Sequence, residues 1–537
     1  MASGDEGGAA GKGIFDSASP GVKLPAWSAV IGFSCGILLT LLLAEDEGAI
    51  EAPRIQAVST SDGGSVHKAL NGRPAVCKAV LSPRPGRRLE YRWEFGDESA
   101  PVAGLVTDPY AVWTAHAYPE SKAGTRFTAT LTVTDMMSRE RAIGTYEIEI
   151  VEPTLENRTT VALDDGLWSL HSQMVREDHP VHGPIGYWNE TKNPIGSTAM
   201  AALAFEVNGY DGRAERERTP YRETVDRALA YLLSRFETVE LEPQPAGDPD
   251  SNGNGLGIKV AENSHQMYEV SLAAMALAAS QDPDRPAPCG PDHIFGRSLK
   301  DVVTDLADFI AFAQTDGDNP EQRGGWRYRA NVDDADMSVT QWPVLALMSA
   351  KRGFGIETPE WVRTELSAYF LQHVQSEEGG FGYKDAGDKV TTRLTGAGLI
   401  ALDFLGVKAA DDRVRRATEF IAANWDTDNI GDFYSMYGIM KGAKLADPEI
   451  TRFGDHEWQK EYAEALSASQ NEDGSWSDGG SYAPESLKTA LPALVLSKDV
   501  FFATRPTSVL WKMLISVGTA VLVVVLGTVV FLFFLKK

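Results

Sequence analysis

Cysteine is nearly missing from this chain, with three in 537 residues. That scarcity excludes a disulfide framework and a cysteine-rich zinc centre. A positive balance is missing too: 50 Lys and Arg face 75 Asp and Glu, a formal charge of -25. Binding to a phosphate backbone needs cationic side chains that displace counterions, so nucleic acid is excluded as a partner. Also absent are a Gly-rich phosphate loop, a His-x-x-x-His helix and a Ser/His/Asp motif. No metal and no cofactor is expected. What is present is a globular composition, 43% hydrophobic and 23% charged, with 12 Trp, 16 Tyr and 21 Phe. The excess acid reads as a well-solvated surface.

Two segments depart from that average. From Leu24 to Ala44 and from Met513 to Leu535 no charged side chain occurs. Each run is long enough to cross about 30 Å of hydrocarbon at about 1.5 Å per residue. Lys23 precedes the first run and Glu45, Asp46 and Glu47 follow it; Lys512 precedes the second, and Lys536 and Lys537 follow. The expectation is two transmembrane helices, at 23–44 and 509–535, with both termini cytoplasmic and the main domains on the outer, periplasmic or extracellular, face. The lipid bilayer is then a partner. Residues 1–22, rich in Gly, Ala and Ser, read as a disordered cytoplasmic tail. Two glycosylation sequons, at Asn157 and Asn189, fall on the outer side.

Between about 53 and 153 short alternating runs are separated by turn residues, for example Arg126 to Asp135 and Tyr146 to Val151. Period-two alternation of this kind predicts half-buried strands in a small β-sandwich. Tyr91-Arg-Trp-Glu-Phe-Gly-Asp97, His116-Ala-Tyr118 and Leu131-Thr-Val-Thr-Asp135 resemble the strands of the polycystic-kidney-disease (PKD) type of immunoglobulin-like domain. The resemblance implies an extracellular spacer or adhesive module.

From about 160 to 500 the texture is helical. Six segments rich in small and apolar residues recur, starting at Thr198, Val270, Thr340, Thr395, Met436 and Thr489. More amphipathic helices stand ahead of most of them, as at Val225 to Leu233, Val302 to Phe312 and Val414 to Ala423. A helix that is apolar on every face must be surrounded by other helices, so the pattern predicts a mainly α fold of six helix pairs, an α/α toroid, with an open solenoid as the alternative. Between the helices a Gln, acidic residues, Gly and an aromatic recur, as in Gln470-Asn-Glu-Asp-Gly-Ser-Trp476, Gln375-Ser-Glu-Glu-Gly-Gly-Phe381 and Gln314 through Gly324-Gly-Trp326. These motifs resemble the prenyltransferase and squalene-oxidase repeat family, whose Gln-to-Trp motifs brace a toroid.

In cyclases of that family the resemblance implies an Asp-x-Asp-Asp-Thr-Ala acid at the head of an inner helix. Here the corresponding stretch contains Asp333, Asp334 and Asp336, with Ala335 at the proton-donating position. The three carboxylates are the candidate acids, and N-capping of the helix is the alternative reading. At the starts of inner helices His265, Tyr268, Thr340, Thr395, Tyr434 and Tyr437 are the candidate ligand-binding residues, gathered at one polar mouth. Two functions compete: an outward-facing binding or scaffold protein holding an apolar ligand or a protein partner, and a terpenoid cyclase acting on a membrane-dissolved isoprenoid. Oligomeric state stays open.

Overall fold

The computed structural model describes residues 52–55, 66–82, 86–119, 122–188, 193–211, 221–477 and 485–502. The two expected membrane spans lie outside these residues. Among the described residues no helix is long and apolar enough to cross a membrane.

The N-terminal part is a two-layer β-sandwich. Its strands are β1 (Arg54–Ile55), β2 (His67–Leu70), β3 (Ala75–Val80), β4 (Leu89–Glu94), β5 (Val102–Leu105), β6 (Val112–His116), β7 (Arg126–Asp135) and β8 (Arg141–Val151). They form a three-stranded sheet, β1-β3-β6, and a five-stranded sheet, β2-β8-β7-β4-β5, in which β2 and β8 run parallel. Alternation along β7 sends Ala129, Leu131 and Val133 into the core, where Trp93, Phe95 and Tyr146 are also buried. Gly96 and Asp97 turn the chain after β4: Gly96 has φ 76°, and Asp97 bonds Ser99 and, at 2.7 Å, His116 Nε2.

After Val151 the chain enters α1 (Leu155–Gln173), capped by the Thr154 hydroxyl. The helices that follow are α2 (Pro194–Val207), α3 (Tyr221–Leu233), α4 (Gln266–Ala279), α5 (Leu299–Phe312), α6 (Met337–Phe354), α7 (Glu360–Ala368), α8 (Phe370–His373), α9 (Thr392–Phe404), α10 (Asp412–Ala423), α11 (Phe433–Leu445), α12 (Trp458–Ser469) and α13 (Glu485–Leu496). Hairpins β9–β10 (Val175–His179, Gly183–Tyr187) and β11–β12 (Phe236–Glu240, Leu256–Val260) are inserted among them. Helices α2, α4, α6, α9, α11 and α13 pack each against the next, and α13 returns to α2, so the inner ring is closed and the solenoid alternative is excluded. Helix α2 is buried at every position from Ile195 to Val207, which its small-residue sequence permits. Glycine sets the approach of α9 to α11: a methyl at Gly396 would lie 2.7 Å from the Ile439 nitrogen, and one at Gly442 would lie 2.7 Å from Leu399 Cβ.

The repeated Gln, Gly and aromatic positions do similar work where the motif recurs. The Trp326 and Trp476 indoles donate to the Ile310 and Leu466 carbonyls near the ends of α5 and α12, at 2.8 and 2.9 Å. Trp188, in the degenerate motif, donates to Leu170 of α1 at 3.1 Å. Each Gln amide bridges its own turn and the first turns of the next outer helix. Gln314 donates to the Gly324 and Val362 carbonyls, Gln375 to Gly379 and Arg413, and Gln470 to Gly474 and, at 2.7 Å, Ala162. The last bond joins the end of the toroid to its beginning and closes the outer layer.

The sandwich is seated on that seam, which its expected role as a spacer did not foresee. Lys78 of β3 is fully buried, with Nζ 2.6 Å from Asp164 Oδ2 and 2.7 Å from Asp165 Oδ1 on α1. Burial opposes the ammonium charge, and the two carboxylates outweigh it, holding Lys78 above the ordinary amine range. His67 sits 3.4 Å from Asp164, and burial drives it down to about 3, so its ring is neutral. On the same face the His171 ring meets the Tyr110 carbonyl at 2.7 Å and the Arg176 guanidinium lies 4.3 Å over the Tyr110 ring. Val76 and Val80 join the toroid's apolar core.

Candidate functional site

The N-terminal turns of α4, α6 and α11 meet through Tyr268, Ser338 and Tyr434. Asp336 is the N-cap of α6: its Oδ1 accepts from the Val339 amide at 2.9 Å and the Ser338 hydroxyl at 2.5 Å. Its Oδ2 is ion-paired with Arg327, and the side chain is fully buried. Arg327 also meets Asp334 at 3.0 Å and donates to the Tyr383 hydroxyl at 2.8 Å, and its guanidinium lies 4.3 Å over the Tyr328 ring. Lys384 completes the pairing of Asp334 at 2.8 Å. Of the three candidate acids, Asp336 and Asp334 are thus held by cations, while Asp333 is exposed beside Gly317. A carboxylate with both oxygens committed to donors and to a guanidinium is stabilised in its charged form, which is the opposite of what a proton donor needs.

The six candidate ligand-binding residues divide. Thr340 and Thr395 do not line the mouth: each is buried, and each hydroxyl accepts the backbone N–H of a motif aromatic, Trp326 at 3.1 Å and Phe381 at 3.0 Å. Thr198 and Thr489 do the same for Trp188 and Trp476, both at 3.4 Å. Their shared register therefore reflects one backbone hydrogen bond repeated around the ring. Tyr268, Tyr434 and Tyr437 do come together. The Tyr268 and Tyr434 hydroxyls both reach the Ser338 carbonyl, at 3.3 and 3.1 Å, and Tyr434 accepts from the Gln341 amide and, at 3.0 Å, the Trp342 indole. Trp342 stacks on Tyr437 with centroids 5.7 Å apart. Helices α4 and α11 are not neighbours in the ring, so tyrosines meeting from these two helices cross its axis. Burial pushes the Tyr268 and Tyr434 hydroxyls upward, so both remain protonated donors. His265 stands just before α4 at the rim, its ring 5.7 Å from that of Tyr328.

Outside this aromatic floor lies an open depression of about 290 Å³ lined by Ser264, Arg327, Tyr328, Arg329, Val332 and Asp334. Sequence reasoning did not single out Arg327, Tyr328 or Tyr383, although the first two directly follow the Gly-Gly-Trp326 motif. At the far end of α11, Lys441 is buried and donates to the Val500 carbonyl, its ammonium 5.3 Å over the Tyr437 ring. Burial, then Lys444 and Arg352, lowers Lys441 to about 7. Lys444 beside it donates to the Ser497 carbonyl at 2.7 Å, so the pair fastens the segment that leaves the toroid.

No curated protein matches the chain in sequence. Solved structures similar to it include a family 76 glycoside hydrolase from a bovine Bacteroides thetaiotaomicron strain, at 9% identity and a TM-score of 0.41, covering 83% of this chain and 99% of that one. Another is alpha-2-macroglobulin from Escherichia coli, in the part from domain MG7 to the C-terminus, at 11% identity and a TM-score of 0.31, covering 84% of this chain and 66% of that one. Superpositions this loose carry nothing about activity. A family model described as PKD domain matches residues 60–147, so the sandwich seated on the toroid is a PKD domain.

Proposed function

We propose that the chain is a membrane-anchored, extracytoplasmic binding or scaffold protein whose toroid, built on repeats resembling those of prenyltransferases and squalene-oxidase relatives, is not a catalyst. The observation that carries this reading is the commitment of Asp336: its two oxygens cap α6 and pair with Arg327. Tyrosines crossing the ring axis support it, because they stand where a cyclase would keep space for a folded isoprenoid. The depression beside them carries Arg327, Arg329, Tyr328 and Asp334, groups suited to a polar or charged segment of a partner protein. The PKD domain and the uncharged runs at 24–44 and 513–535 support an outward-facing, anchored placement.

The test is incubation of the purified full chain in detergent with squalene and other isoprenoids, followed by analysis of the extract. The expected result is the same extract as from a protein-free control. A cyclised product that disappears in Asp336→Asn would replace the binding reading with an acid-catalysed cyclase.

A further inference from the structure

The loop between β11 and β12 reads Asp248-Pro-Asp250-Ser-Asn252-Gly-Asn254-Gly255. This is the Asp-x-Asp-x-Asn-Gly spacing that wraps oxygen ligands around calcium, the Gly allowing the sharp turn in the middle. Gly253 has φ 76° and an open environment, as that turn requires. The loop is already curled: Asp250 accepts from the amides of Gly253, Asn254 and Gly255 at 2.8, 3.2 and 2.7 Å. The twelfth position of such a loop, usually Glu, is Lys259 here, so a carboxylate must come from elsewhere.

Helix α5 supplies two. Asp305 and Asp308 are buried, at 0% and 2% exposure, beneath the loop. Asp305 Oδ1 receives the Asn252 and Asn254 side-chain amides at 2.8 and 3.0 Å, and its Oδ2 pairs with Arg297 at 2.7 Å. The carboxyl of Asp308 is acted on by Ser251, Asp305 and Asp250, so it faces the loop, and its Oδ2 is buried with no hydrogen-bond partner. A buried carboxylate oxygen without a donor is costly unless a cation or a proton occupies it.

We propose that Asp248, Asp250 and Asn252, with the Asn254 main chain and Asp308, form a site for a divalent cation of the calcium class. Among the described residues no three acidic, His or Cys side chains already converge on one point, so the site closes around its ion. Closure turns the Asn252 oxygen inward and brings the unpartnered Asp308 Oδ2 onto the ion. Arg297 offsets part of the local negative charge, which places the affinity in the weak range of extracellular calcium modules, about 0.1 to 1 mM. The bound ion would lock the β11–β12 hairpin onto α5, and onto α7 through Trp361, whose indole donates to the Asp248 carbonyl at 3.2 Å.

Trp361 also provides the readout, because a terbium ion in the loop would be excited through it. With the purified full chain, tryptophan-sensitised terbium emission should appear and be displaced by calcium. Calcium at about ten times its dissociation constant should raise the unfolding midpoint by about 1.5–2 °C over the chelator-treated protein. Asp308→Asn, which removes the buried charge at constant shape, should melt no lower than the parent in chelator and lose both responses. Asn252→Ala, on the exposed side of the loop, should lose them as well. Trp361→Phe should dim the emission and keep the midpoint shift. No calcium-dependent shift in the parent, or an equal shift in Asp308→Asn and Asn252→Ala, would overturn the proposal and assign calcium binding to the chain's general acidity.

Discussion

Replacing Lys78 by Met is expected to lower the unfolding free energy by about 3–5 kcal/mol, the cost of leaving buried charge without its partner. The ammonium is fully buried between Asp164 and Asp165, and nothing else on β3 can replace it. Chemical denaturation of the parent and variant checks the figure. Adding Asp164→Leu to Lys78→Met should return most of the loss, because a buried apolar pair of similar volume is often as stable as the ion pair it replaces. A loss that persists in the double variant would point to packing instead of charge. Acid should weaken the same junction. His67 and His171, both lowered to about 3 chiefly by burial, stay neutral when folded and take up protons below about 6.5 when unfolded. Stability therefore falls as pH drops from about 6.5 toward 3, by up to about 1.4 kcal/mol per pH unit for each histidine.

Gly474→Ala should cost about 3 kcal/mol or more. Gly474 has φ 81°, a conformation that penalises any side chain by about 1–2 kcal/mol. A methyl there would also lie 2.3 Å from the Asp165 carbonyl oxygen, so α1 must shift, at about 1–3 kcal/mol for overpacking. Gly324 and Gly379 occupy the same niche against Glu365 and Arg416, with methyl distances of 2.2 and 2.4 Å, and their Ala variants should behave alike. Gly183, with φ 70° and nothing within 4 Å, is the control that isolates the conformational part. Thermal or denaturant unfolding of these variants checks the order. Because Asp165 receives Lys78 on its side chain and abuts Gly474 with its carbonyl, the Lys78 and Gly474 variants should not be additive.

That non-additivity follows from where the pieces meet, and it marks what could be read from the sequence and what could not. The Gln, Gly and aromatic positions were legible because each motif lies within a few residues of itself, and the inner helices because their small-residue faces repeat. The partner of Gln470 was not, since Ala162 is brought to it only when the ring closes. Lys78 looks like the polar residue of an alternating strand, and only the docked toroid turns that face inward. The four threonines were legible as a repeat, and two of them, Thr340 and Thr395, were candidates for the mouth because a hydroxyl serving a backbone amide looks in sequence like one facing solvent. Asp336 was legible as both cap and acid; the cap is formed, and Arg327, nine residues earlier, pairs with its other oxygen. The Asp248 to Gly253 spacing was passed over in the sequence because the loop lacks its terminal Glu, and Asp308 enters only through the packing of α5 under the loop.

The PKD domain and toroid, proposed to stand as one body on the outer face of a membrane, are tested most directly by labelling of intact cells with a membrane-impermeant maleimide. In a Cys35→Ser background the two remaining native thiols, Cys77 and Cys289, are buried, and burial pushes them up to about 12 and about 11, so background reaction is low. Met137, 76% exposed on the sandwich, is the outer test position, and Ser3 is the inner one. The predicted result is labelling of Met137→Cys in intact cells and of Ser3→Cys only after lysis. Labelling of Ser3→Cys with Met137→Cys protected would contradict the account.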